Sequence, residues 1–94
     1  MLTIGDIQHN VAQIAPLYEI KKVSLFGSYA KGTQTEGSDI DLLVEFKSRP
    51  ISIYRIAGVK LKMEELTGKE VDVIVSPVPP NALIEIDKEV LIYG

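Results

Sequence analysis

The strongest constraint sits in "SDIDLLVEF", residues 38–46, where Asp39 and Asp41 stand one residue apart at the head of an otherwise apolar run. The run alternates at its start and then turns wholly apolar, as a central strand does. Residues two apart on a strand point to the same side, so the two carboxylates stand together while Ile40 and Leu42 point the other way. Bare carboxylates that close repel, and in a partly buried site one of them is driven to take up a proton. A hard divalent cation removes the conflict, because Mg2+ takes oxygen ligands and is usually held by a few carboxylates and substrate phosphates. The plainer alternative is that Ser38-Asp39 closes a turn and Asp41 is hydrated at a strand end.

Asp72 shifts the balance. It lies in the middle of "EVDVIV", flanked by Val71 and Val73, where an ionised carboxylate is costly unless paired or metal-bound. If residues 69–76 form a strand beside 39–46, Asp72 projects to the same edge as Asp39 and Asp41. Three converging carboxylates then make a divalent-cation site, most simply for the two ions used in phosphoryl and nucleotidyl transfer. The competing reading is an edge-strand Asp that faces water. Gly27-Ser28, at the end of the apolar run "KKVSLFG", supplies a second half: a Gly at a strand end followed by a Ser opening a helical turn lets backbone amides approach a phosphate. The Ser28 hydroxyl adds a donor and Lys31, one turn on, a point charge. A lone Gly-Ser pair is mostly a turn, so its value lies in its relation to the carboxylates.

Around these residues the chain reads as α-β-turn-β-α-β-α. A helix is expected over 3–19, with Thr3 and Asp6 as a shortened capping box and Ile4, Ile7, Val11, Ile14 and Leu17-Tyr18 at helical spacing. Strands follow at 21–27 and 39–46, with Ser28 capping a turn that Gly32 ends. A second long helix covers 51–68, with Ile53, Ile56, Leu61 and Leu66 inward and Lys60, Lys62, Glu64 and Glu65 outward. A third strand covers 69–76, "PVPP" breaks the chain, Asn81 caps a short helix, and "VLIYG" adds a last strand or docks. The fold class is α/β (α+β), a small mixed sheet of three to four strands with helices packed on it.

The 94 residues leave room for one domain, 1–94. With 46% apolar residues, the chain is rich for a small soluble monomer, which points to a surface that faces a partner. The absence of Cys excludes a disulfide framework and a cysteine nucleophile. No apolar run approaches the roughly 18 residues that span a membrane, and the N-terminus lacks an export pattern, so a cytoplasmic location is expected. A net charge of −3 gives no case for direct nucleic-acid binding, which usually needs a basic face.

Gly27-Ser28, ten residues, Asp39-Ile40-Asp41 and a later strand Asp72 together resemble the signature of the DNA-polymerase-beta-like nucleotidyltransferase superfamily. "GSYAKG…GSDIDLLVEF" is similar in particular to the minimal nucleotidyltransferases, the MntA-like antitoxins of HEPN–MNT toxin–antitoxin pairs, over nearly the whole chain. The resemblance implies the nucleotidyltransferase fold, triphosphate binding by Gly27 and Ser28, two Mg2+ ions bridged by Asp39 and Asp41, and a catalytic metal held by Asp72. It implies transfer of AMP from ATP to a hydroxyl, a tyrosine, of a cognate HEPN ribonuclease toxin, with a homo- or hetero-oligomer possible. Lys31 stands where Arg is common, which keeps the charge and changes the geometry of phosphate contact. The alternative is an antitoxin that neutralises by binding alone; nucleotidylation of a small molecule, a third reading, lacks a substrate domain. His9 is expected to be solvated, Tyr18, Tyr29, Tyr54 and Tyr93 to be core-edge aromatics, and "KLKMEEL" a solvated helix face.

Overall fold

The structure is a computed structural model that describes residues 2–48, 50–76 and 88–94. Thr3 Oγ1 accepts the amide of Asp6 at 3.1 Å, and the Thr3 amide donates to Asp6 Oδ2 at 3.0 Å. This reciprocal capping box starts α1, Ile4–Ile14, which buries Ile7, Val11 and Ile14 on one stripe. The helix does not reach residue 19. Pro16 has no amide to donate and its ring crowds the preceding turn, so α1 ends at Ile14 and Ala15–Leu17 tighten into a 3-10 turn. Leu17, expected on the apolar stripe, is therefore 69% exposed.

Strand β1, Ile20–Phe26, pairs antiparallel with β2, Ile40–Phe46, from Ile20 opposite Phe46 to Phe26 opposite Asp41. The short helix α2, Ser28–Lys31, and the loop 33–39 join them. Strand β3, Val71–Val75, lies parallel on the far side of β2, and β4, Val90–Tyr93, lies antiparallel beside β1. The order β3-β2-β1-β4 makes one mixed sheet. A parallel neighbour needs a crossover, and α3, Ile53–Thr67, provides it. Central position explains the composition of β2, whose Ile40, Leu42 and Val44 are sealed in the core. The run "VLIYG" is thus a strand. The expected break at 77–80 and the helix capped by Asn81 lie outside the described residues.

The inward stripe of α3 differs from expectation. Val59 and Met63 are buried and Ile56 packs against the core, whereas Ile53 and Leu61 are 75% and 63% exposed. The observed inward set, Ile56, Val59 and Met63, follows the i, i+3, i+7 spacing of one helix face, which the expected set of Ile53, Ile56, Leu61 and Leu66 does not. A Cβ at Gly58 would meet Tyr18 Cε1 at 2.6 Å, so only Gly lets the Tyr18 ring lie against this helix. A mid-helix Gly costs about 1 kcal/mol relative to Ala, a cost set against the contact of the Tyr18 ring with the helix. Tyr54 is 85% exposed and belongs to no core edge, while Tyr29 is fully buried and Tyr18 and Tyr93 are half-buried. His9 is exposed, with Gln13 Nε2 3.0 Å from its Nε2. No helix among the described residues is long and apolar enough to cross a membrane.

Two residues with positive φ bracket β1, Glu19 at 54° and Gly27 at 71°. At the first end the Glu19 carboxylate pairs with Arg55 at 3.1 Å and accepts from Ser48 Oγ at 3.0 Å, and the Glu19 carbonyl accepts the Lys47 amide at 2.8 Å. Arg55 in turn lies 5.9 Å over the Phe46 ring. These contacts tie the start of β1, the end of β2 and the start of α3. The second end carries the candidate site.

Candidate active site

The chain leaves β1 through Gly27, whose φ of 71° and ψ of −150° suit only Gly. Gly27, not Ser28, occupies the cap of α2; Ser28 is the first helical residue and no side chain caps the turn. Gly32 closes α2 in the left-handed region, as expected. The helical ladder begins where the Lys31 amide donates to the Gly27 carbonyl at 3.1 Å, so the amides before it are not used within the turn. A Cβ at Gly27 would run into the Asp41 carboxylate. Gly27 thus serves two purposes: it makes the turn and leaves room for Asp41 beside it.

Asp41 is the second residue of β2, half-buried, and faces Phe26 of β1 on one side and Asp72 of β3 on the other. Asp72 is exposed on an edge strand, so no burial cost attaches to it. Sheet order alone brings it to Asp41. Asp39 is exposed at the end of the 33–39 loop, just before β2. In that loop Ser38 Oγ accepts the Thr35 amide at 2.8 Å, and the Ile40 amide donates to the Glu70 carbonyl at 2.9 Å. Burial pushes the Asp41 carboxyl above its ordinary value; the Asp72 carboxylate beside it, through charge and a shared hydrogen bond, and then Asp39 push it further. Asp72 and Asp39 thus both act on Asp41.

The ion pairs among the described residues engage Glu19, Glu36, Glu45, Glu64 and Glu65, not these aspartates. The donor set fits a hard divalent cation: carboxylate oxygens, crowded like charges and a pKa displaced by burial and then by that crowding. Among the described residues no three acidic or imidazole side chains close a complete metal cluster, so a cation here would draw its remaining ligands from elsewhere. Ser28 is half-buried and Lys31 is exposed at the far end of α2. Tyr29 packs into the core with its hydroxyl buried and without a hydrogen-bond partner.

Residues 9–93 match the nucleotidyltransferase domain family. The chain belongs to that family. A candidate protein adenylyltransferase of Methanocaldococcus jannaschii is 41% identical over 73 residues, covering 78% of this chain and 77% of the relative. Among solved structures, a candidate minimal nucleotidyltransferase superposes with a TM-score of 0.69 at 29% identity, covering 84% of each chain. A complex of a tri-AMPylated Shewanella oneidensis HEPN toxin with its MNT antitoxin matches with a TM-score of 0.71 at 14% identity, over 98% of this chain and 73% of the other, a likeness of fold.

In this nucleotidyltransferase, sequence reading missed the supports of the carboxylates. Lys60 Nζ donates to the Val71 carbonyl at 2.6 Å and to Glu64 Oε2 at 3.1 Å, and Glu64 Oε2 also accepts the Val71 amide at 3.0 Å. Lys69 Nζ donates to the Glu36 carbonyl, bracing the loop before Asp39 against the chain entering β3. The available signal was the i, i+4 pair Lys60–Glu64 on the helix that feeds β3; expected to be a solvated face, it turns toward the sheet.

Proposed function

We propose that this chain is a protein adenylyltransferase that moves AMP from ATP to a hydroxyl, a tyrosine, of a HEPN-type toxin and so silences it. The observation that carries this reading is the half-buried Asp41, pressed against Gly27 and crowded by Asp72 and Asp39. The name of the Methanocaldococcus relative and the AMPylated toxin held by the Shewanella antitoxin support the substrate class.

In this reading the amides of the Gly27–Ser28 turn and the Ser28 hydroxyl hold the triphosphate, and Lys31 adds a cation. Asp39 and Asp41 would hold two Mg2+ ions, with Asp72 on the catalytic one. Bound magnesium supplies neutralisation of phosphate charge during in-line displacement. The acceptor oxygen forms a bond to the α-phosphorus as the bond to the β-phosphate oxygen breaks and pyrophosphate leaves. Asp72, exposed and beside Asp41, takes the hydroxyl proton. The acceptor completes the site from outside, where Asp39 and Asp72 stand exposed.

Intact mass spectrometry of a candidate HEPN partner, incubated with the chain, ATP and Mg2+, tests this. A gain of one or more AMP units is expected, lost without metal and lost with Asp39→Asn plus Asp41→Asn. A tight complex with no change of mass, and a double variant that still protects cells, would overturn transfer in favour of neutralisation by binding.

A further inference from the structure

Asp72 has a difficulty that its partners do not. Among the described residues it stands on an edge strand, paired with β2, and directly opposite the like-charged Asp41. An edge strand under such repulsion lowers its energy by peeling away from its neighbour. Its other side is held at Val71, immediately before Asp72 and fully buried. Both peptide groups of Val71 are taken by α3 side chains, the carbonyl by Lys60 Nζ at 2.6 Å and the amide by Glu64 Oε2 at 3.0 Å. Lys60 and Glu64 bond each other at 3.1 Å, closing a ring around the residue. The helix beneath is rigid, since Val59 and Met63 are sealed in the core. The ammonium of Lys60 is favoured first by its hydrogen bond to Glu64 and also by the charge of Asp72, which places Lys60 within electrostatic reach of that carboxylate.

We propose that Lys60 and Glu64 are positioning residues: by clamping both peptide groups of Val71 they hold Asp72 against Asp41 despite the repulsion between the two, and so set the affinity of the carboxylate pair for a divalent cation. The inference rests on the carboxylate reading above. The clamp makes no contact with nucleotide or acceptor; it acts through the backbone of β3.

Mn2+ alone, followed by the EPR signal of the free ion during titration of the full chain, is the probe. Lys60→Met should weaken Mn2+ binding about 10-fold, the scale at which outer supports of metal ligands act. Coulomb's law predicts the opposite sign, since deleting a nearby cation tightens cation binding. Glu64→Gln keeps an acceptor for the Val71 amide but loses the charge, and should weaken binding less than Lys60→Met does. Lys62→Gln, on the same helix and paired with Glu65, should leave it unchanged. Circular dichroism checks that the variants fold; if Lys60→Met does not, Lys60→Ala, which also deletes the cation and the bond to the Val71 carbonyl, decides. Unchanged or tighter binding in a folded clamp variant overturns the clamp, provided that Asp72→Asn loses Mn2+. If Asp72→Asn binds Mn2+ like the unaltered chain, the carboxylate reading falls and the clamp with it.

Discussion

The two ends of β1 solve opposite problems with the same backbone device. Each carries a residue with positive φ, and each has a carboxylate in its immediate surroundings. At the Glu19 end the charge is answered by Arg55 and Ser48 from within the chain. At the Gly27 end Asp41 is answered by two more negative groups, and its carboxyl is pushed up by burial first and by those groups further. A carboxylate that serves the fold is neutralised by the fold. One left crowded among its own kind waits for a cation that the chain does not supply.

The comparison breaks first at Gly27. Gly27→Ala forces a side chain into the left-handed region and into the Asp41 carboxylate, which should cost about 3 kcal/mol and lower Tm by roughly 10 °C or more. AMP transfer should fall on the order of 100-fold, because the reacting groups are displaced. A variant with unchanged Tm and transfer would show that the two ends are alike.

Asp41→Asn tests the crowding. A carboxyl raised in the folded state binds more protons than the unfolded chain in the window above the ordinary carboxylate value. Stability is therefore lost as pH rises through that window. Removing the charge should raise Tm by a few degrees at pH 7, while abolishing transfer. The gain should shrink to nothing below about pH 4, where both states are protonated. A loss of stability at pH 7 would mean that Asp41 is held by favourable contacts, like Glu19.

Glu19→Gln gives the smallest effect. The pair with Arg55 is more than half exposed on the Glu19 side, so its loss should cost about 0.5–1 kcal/mol in thermal melts, with AMP transfer unaltered. A drop in transfer would extend the site to the other end of the strand.

Much of this was legible in the sequence because apolar runs and turn residues act locally. The strands, the capping box of Thr3 and Asp6, and the left-handed stop at Gly32 follow from residue type and spacing. Pro16 should have ended α1 in the reading as it does in the fold. The face of α3 follows Ile56, Val59 and Met63 at helical spacing, which the expected set of Ile53, Ile56, Leu61 and Leu66 lacks, while the fit of Tyr18 against Gly58 is a tertiary contact that no local pattern encodes. At the site, the proximity of Asp41 and Asp72 follows from the parallel pairing of β2 and β3, not from any burial of Asp72. The press of Gly27 on Asp41 and the grip of Lys60 and Glu64 on Val71 are tertiary facts, invisible until strand order is known.

That grip has a bearing on how the protein keeps its company. Val71, Val73 and Val75 form a short β-branched row along what is, among the described residues, the sheet's margin, the kind of template on which a stray strand from another molecule can start to pair. With the outward amide and carbonyl of Val71 already engaged, the first rung of such a ladder is missing. The chain is guarded against aggregation at the margin where its carboxylates must stay open.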